Sequence, residues 1–219
     1  MVGLGIVALI VIVGLAVYFV VMTSTKVTDE VVIVQTSQRG DKKITYSTPL
    51  PDSFNQAEGL VYSYSGWILV NDFTTGYGKK RTILSKDDSP SISLDSTSNS
   101  LVFGIQTFGS LETVLVPNIP AAKWIHFALV VNQQAVDIYI NGTLRQHHTL
   151  SQLPKQNDAA VTMGPDWSGV LGRVSYWPRT LNSAEIQKQA GATPPPDLQI
   201  APAPPQYFDM TWYIGRLNS

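Results

Sequence analysis

From residue 53 to residue 163 the chain alternates short apolar runs with polar turn clusters, and almost none of it carries a helical period. Residues 60–64 and 66–70 are rich in β-branched and aromatic side chains, which suit a pleated surface. Residues 81–85, 92–94, 101–105 and 111–116 follow, separated by Asp, Ser, Asn and Pro clusters. Residues 124–131, 136–140 and 143–150 then read as a three-strand meander, and 161–163 and 169–177 supply two more strands. This spacing predicts an all-β fold, an antiparallel sandwich or jelly roll. One helix is predicted over residues 182–189. Asn182 is placed to cap it, and Glu185 stands three residues on as the partner of a capping box.

The N-terminal pattern is different. From Val2 to Met22 there is no charge and no strong polar group, and the run is long enough to cross a hydrocarbon core as a helix. A cleaved signal peptide would show a basic start, a shorter apolar core and a small-x-small site, and none is clear here. A buried helix would keep a polar face. The expected organisation is a transmembrane anchor over 1–25, a polar stalk and first strand over 26–52, the sandwich over 53–190, and a Pro-rich linker with an aromatic C-terminal segment over 191–219. No Lys or Arg precedes the apolar run, whereas Lys26, Arg39, Lys42 and Lys43 follow it. The positive-inside rule then favours a single-pass protein with its C-terminal domain on the cytoplasmic side.

Charge and composition narrow the function. The net charge is −1, without the basic stripe of a nucleic-acid binder, so no nucleic-acid partner is expected. The one basic triplet, Lys79, Lys80 and Arg81, reads as a solvated loop. The chain has no cysteine, hence no disulfide framework and no thiolate nucleophile. Asn141-Gly142-Thr143 has two readings. It is a formal N-glycosylation acceptor, and after an alternating strand it is also a type I′ hairpin turn with Ile140 and Leu144 at its flanks. The charge bias favours the second, an unmodified turn.

Two blocks carry a family resemblance. Residues 124–131 (WIHFALVV) followed by 136–142 (VDIYING) resemble the W-x-H-x-A … L-Y-x-N-G hairpin of laminin-G-like domains. Residues 169–186 are similar to that family's closing strand. Residues 66–70 resemble an early strand of the same fold. The likeness covers roughly residues 53–190 and implies a concanavalin A-like lectin/glucanase sandwich. That fold hosts lectins, adhesion modules, hydrolases and structural proteins, so it says little about function.

The departures count against inherited chemistry. Gly172 and Arg173 stand where the family usually carries an acidic pair, which weakens any calcium site, since calcium takes hard oxygen ligands. Asp87, Asp88 and Asp95 remain as loop carboxylates and are expected to be solvated turn residues. No cofactor is implied. Glu30, Glu58, Glu112 and Glu185 lack the paired-carboxylate strand of the superfamily's glucanases. His126 matches the family's structural histidine and is expected to pack, hydrogen-bonded, in mid-strand. His147 and His148 face opposite sides of a strand and cannot chelate one ion.

Trp67, Trp124 and Trp177 are expected in the core. Trp167 lies in a loop, either stacking on a sugar or plugging the loop. Tyr207, Phe208, Trp212 and Tyr213 form a segment too apolar for water, which either packs back or docks on a partner. The expected function is a non-enzymatic, membrane-anchored structural or adhesion protein. Its partners are the lipid bilayer, through the Val2–Met22 run, and another protein, docked on the sandwich or the C-terminal segment. A virion or minor-capsid component on a viral inner membrane is one form of it. A glycan-binding lectin at the cell surface is the alternative, and a glycosidase stands third.

Overall fold

The computed structural model describes residues 29–53 and 60–196. Two antiparallel sheets face each other. One has the order β1 (Val31–Val34), β13 (Gly169–Trp177), β4 (Val61–Val70), β9 (Trp124–Asn132), β10 (Ala135–Ile140) and β11 (Thr143–Thr149), with β2 (Gln38–Arg39) also pairing with β13. The other runs β3 (Ile44–Tyr46), β12 (Val161–Met163), β5 (Arg81–Lys86), β6 (Ser91–Leu94), β7 (Leu101–Gln106) and β8 (Leu111–Val116). A short helix, α1 (Ser183–Ala190), follows β13. Among the described residues no helix is long and apolar enough to cross a membrane. The run from Val2 to Met22 lies outside them, as do Glu58 and the segment with Tyr207, Phe208, Trp212 and Tyr213.

The core between the sheets is built from alternate positions. Tyr62, Tyr64, Ile68 and Val70 of β4 join Ile125, Phe127, Leu129 and Val131 of β9 and face Ile92, Leu94, Leu101, Phe103 and Ile105 of the second sheet. The two predicted runs at 60–64 and 66–70 are one ten-residue strand, buried at every position. Gly66 lets it run on, because a Cβ there would meet Phe127 and Val174. Residues 29–52 are not a free stalk. β1 and β2 extend the first sheet along β13 and β3 extends the second along β12, so the sandwich begins well before residue 53.

The helix starts as predicted. Asn182 accepts from the Glu185 N–H (2.9 Å) and the Glu185 carboxylate accepts from the Asn182 N–H (2.9 Å), the reciprocal capping box. α1 lies on the outer face of the seven-stranded sheet, where Ile186, with no exposed surface, packs against Ala128, Val130, Trp177 and Leu181. Two serines of β4 seat this region. Ser63 Oγ donates to Arg179 O (2.8 Å) and accepts from the Leu181 N–H (2.9 Å), and Ser65 Oγ donates to Gln189 Oε1 (2.7 Å).

The hairpin turn is resolved in backbone terms. Asn141 (φ 50°) and Gly142 (φ 77°) both take positive φ, as a type I′ turn requires. The residue opposite Ile140 is Thr143, not Leu144, and a bulge near Arg145 restores the register. The described part of the predicted linker is packed rather than loose. Thr193 O accepts from Arg173, Pro196 O accepts from Ser37 Oγ, and Pro195 rests on Gly172.

Candidate functional site

Parity along β4 and β9 decides where the aromatics go. Tyr62, Tyr64 and Ile68 point inward, so Trp67 points to the outer face, and its β9 partner His126 points with it. Trp177 lies on the same side, in the cluster under α1. Trp67 and Trp177 are therefore in the core as expected, on the outer side of the seven-stranded sheet rather than between the sheets, whereas Trp124 is only half-buried at the sandwich rim. The large aromatics buried in the core between the sheets are Tyr62, Tyr64, Tyr176, Phe103, Phe127 and Trp167. The signal was present in the sequence, as the offset of Trp67 from Tyr62 and Tyr64 by an odd number of residues.

These outer-face residues border a groove of about 350 Å³ beside α1, walled by Trp67, Trp177, Val32 and Val34 with Ser65, His126, Arg173 and Gln189 among them. The His126 ring meets Trp67 edge-on, centroids 5.3 Å apart. It packs as expected but without the expected hydrogen bond, since the buried Nδ1 has no partner. Burial pushes its pKa down to about 4, so the imidazole is neutral at pH 7. The groove runs up to β1, the edge strand, whose Val32 is 46 % exposed.

A second concavity, about 420 Å³, opens at the sandwich rim. It is lined by Trp124, Lys123, Asn118, Ile140, Arg145 and Gln146, among others, from the loop before β9 and the β10–β11 hairpin. Asn141 lines it too, tied to β9 by its own N–H to His126 O (2.8 Å) and by its Oδ1, which accepts from the His126 N–H (2.9 Å).

The remaining predicted sites do not assemble. Trp167 is 1 % exposed, enclosed by Gly40 and Gly169, at each of which a Cβ would run into the indole. It is the plug, with no face left for a sugar. Asp87 and Asp88 lie in the turn before β6 and Asp95 in the turn after it, so the length of β6 separates them. Asp95 Oδ2 is occupied by the N–H groups of Thr97 (3.0 Å) and Ser98 (2.8 Å), which hold its pKa below the ordinary range. Among the described residues no group of three His, Asp or Glu side chains is placed to hold a metal.

Of the glutamates, Glu185 caps α1 and pairs with Arg179 (2.8 Å), Glu30 borders the groove, and Glu112 lies on β8. Glu112 bonds His148 Nε2 (3.0 Å) and accepts from Ser151 Oγ (2.7 Å), linking the edges of the two sheets. Here the carboxylate sits between Ser and His, whereas a nucleophilic triad needs the imidazole in the middle. His147 pairs instead with Asp137 (2.6 Å) on the opposite face of β11.

Arg81 was missed. Far from being solvated, it has no exposed surface. Its guanidinium donates to the carbonyls of Phe73 (2.7 Å), Thr75 (3.5 Å) and Asp95, and so pins the loop before β5 to the turn after β6. Desolvation lowers its pKa. The strand starting at Arg81 is legible in the sequence, but its place in a basic triplet hides the burial of its first side chain.

The comparisons agree on architecture. No curated protein matches the chain. Among solved structures it is similar to the receptor binding domain of botulinum neurotoxin D (TM-score 0.58, 12 % identity, 74 % of this chain and 52 % of that one). It is also similar to the binding domain of Paraclostridial Mosquitocidal Protein 1 (0.54, 17 %, 72 % and 46 %). A third is the binding domain of botulinum neurotoxin DC in complex with rat synaptotagmin II (0.52, 20 %, 74 % and 46 %). The chain spans about half the length of these structures, and the likeness is one of fold. A laminin-G-type family model matches residues 28–187, taking in β1 and everything up to α1, and by that match the chain belongs to the concanavalin A-like lectin/glucanases superfamily.

Proposed function

We propose that this protein is a non-enzymatic binding module, held at a bilayer by the run from Val2 to Met22, that docks a partner protein in the groove beside α1. The groove carries the reading. It joins aromatic walls, Trp67 and Trp177, to an edge strand with an exposed Val32, so an extended segment of a partner has backbone groups to pair with and an apolar slot for a side chain. Among the fold's solved neighbours, one is a receptor binding domain and two are binding domains. One was solved in complex with synaptotagmin II, and cell entry of botulinum neurotoxin type C is dependent on two ganglioside molecules, so both protein and glycan partners occur on such molecules. For this chain the glycan reading loses Trp167 as a contact residue, because that ring is buried. A virion location is one setting for the same docking role.

The experiment is photo-crosslinking in native membranes from the full chain. A benzophenone side chain at position 32 should capture a discrete partner that the same probe at exposed Lys80 does not. The same products at both positions would sink the groove reading. Extraction of the full chain by a carbonate wash would sink the anchor. On the cytoplasmic orientation the native chain has its unmodified mass; a glycan-sized increment lost in Thr143→Ala would overturn that orientation.

A further inference from the structure

The two sheets end on the same side of the sandwich, one at β8 and the other at β11. At one end of that side Glu112 clasps the edges together through His148 and Ser151. At the other, where β8 reaches Val116, the edges are parted by the rim cleft. Its floor is apolar, formed by buried Val116, Ile125 and Ile140. Its wall is half-buried Trp124. Lys123 and Arg145 are exposed on its rim, no carboxylate lines it, and neither cation has an ion pair or hydrogen bond among the described residues. Every other arginine among the described residues has at least one such partner.

The frame around these cations is fixed. Ile119 N–H donates to Asn99 O (2.8 Å), Ala122 N–H donates to Val70 O (2.6 Å), and Asn141 is bonded twice to His126. Two unpaired cations over an apolar floor are complementary to carboxylates carried beside apolar side chains. The volume, about 420 Å³, falls within the usual span of ligand sites, roughly 300–1,000 Å³.

We propose that the rim cleft binds an acidic, extended peptide segment of a partner protein. β11 ends its sheet, so its outer edge offers unpaired N–H and C=O groups next to Arg145 and Gln146, a template that a peptide can use and a sugar cannot. In an added strand successive side chains point to opposite faces. An Asp or Glu reaching Arg145 can be held bidentately, with Lys123 as a second point charge. The residues that alternate with it turn to Trp124 and the floor. Two cations in a chain of net charge −1 do not make a track for a nucleic acid. The proposal rests on the binding-module reading for its class of ligand and on none of the groove's walls.

The test is fluorescence anisotropy on the full chain in detergent, with a labelled short peptide of alternating glutamate and valine and its lysine–valine counterpart. The glutamate peptide should bind, the lysine peptide should not, and added salt should weaken the complex. Arg145→Glu combined with Lys123→Glu should cost at least about tenfold in affinity and reverse the preference between the peptides. Both sites are exposed, so thermal melts of the variant should match the wild type. Val32→Glu, at the groove, should leave peptide affinity unchanged. Absent or equal binding of the two peptides would overturn the proposal, as would indifference to the charge reversal or binding of a uronic-acid oligosaccharide in place of the peptide. Peptide binding without a crosslinked partner at position 32 would sink only the groove reading, and the reverse result only this one.

Discussion

The groove and the rim cleft are similar in size and opposite in character. In the groove Ser65 is bonded to Gln189, Arg173 to Thr193 O, and the imidazole of His126 is neutral. In the cleft Lys123 and Arg145 have no partner among the described residues and lie over apolar side chains. A concavity walled by buried tryptophans around a neutral imidazole selects by shape and apolar contact, and changing those walls disturbs the fold. One whose charges are unpaired selects by sign, and its rim can be altered at little cost to stability. The turn at Asn141-Gly142 joins the two, because Asn141 lines the cleft while a Cβ on Gly142 would lie 3.3 Å from Ala190 of α1.

The largest expected effect tests the structural half of that contrast. Ile186→Ala removes the side chain that holds α1 on the sheet and should cost about 2–5 kcal/mol in chemical denaturation. A loss below that range would mean the helix is held by its serine contacts alone. Next comes pH. His126 has a folded pKa near 4 against an ordinary 6.5, so between those values the unfolded chain binds more protons. The associated stability is complete well above pH 6.5 and drains as pH falls toward 4, with about 2 kcal/mol of it lost by pH 5. His126→Leu should flatten that slope; an unchanged profile would assign the titration elsewhere.

Gly142→Val forces a β-branched residue to positive φ and should cost about 1–3 kcal/mol, with Thr143→Ala nearly silent. Because the turn touches both regions, the glycine variant should weaken acidic-peptide binding as well. The smallest effect is the sharpest discriminator. Arg145→Ala should move the melting free energy by no more than about 0.5 kcal/mol while abolishing the cleft's preference for acid. A large destabilisation would show that the arginine is structural and that the contrast fails.

Most of the sandwich was legible because alternation, turn chemistry and capping are local. The type I′ turn, the capping box and the strands from residue 81 onward are each specified within a few residues. β4 was read as two pieces because both of its faces are buried, so polar positions that normally mark the solvent side, Ser63 and Ser65, are seats for the α1 region instead. Arg81 escaped because its partners are carbonyls, which no side-chain pattern records. The cleft escaped for a similar reason. It joins residues 116–125 to residues 140–146, and what matters there is that Arg145 has no partner among the described residues. The run 31–34 reads from sequence as an edge or first strand and is one, β1, whereas the rest of 29–46 reads as a stalk because the partners of β2 and β3, on β13 and β12, lie more than a hundred positions downstream.

The pairing of β1 with β13 has a consequence for synthesis. Val31 lies opposite Tyr176 and Val34 opposite Val174, so the first described strand finds its place only against the last. At ribosomal rates of about 5–20 residues per second, the interval between making the two is on the order of ten seconds. Throughout it, the run VVIV of β1 is an unpaired apolar edge emerging beside whatever the chain's N-terminus has already engaged. The sandwich therefore closes only once β13 has been made, and the edge kept waiting for it is the same β1 edge that later borders the groove.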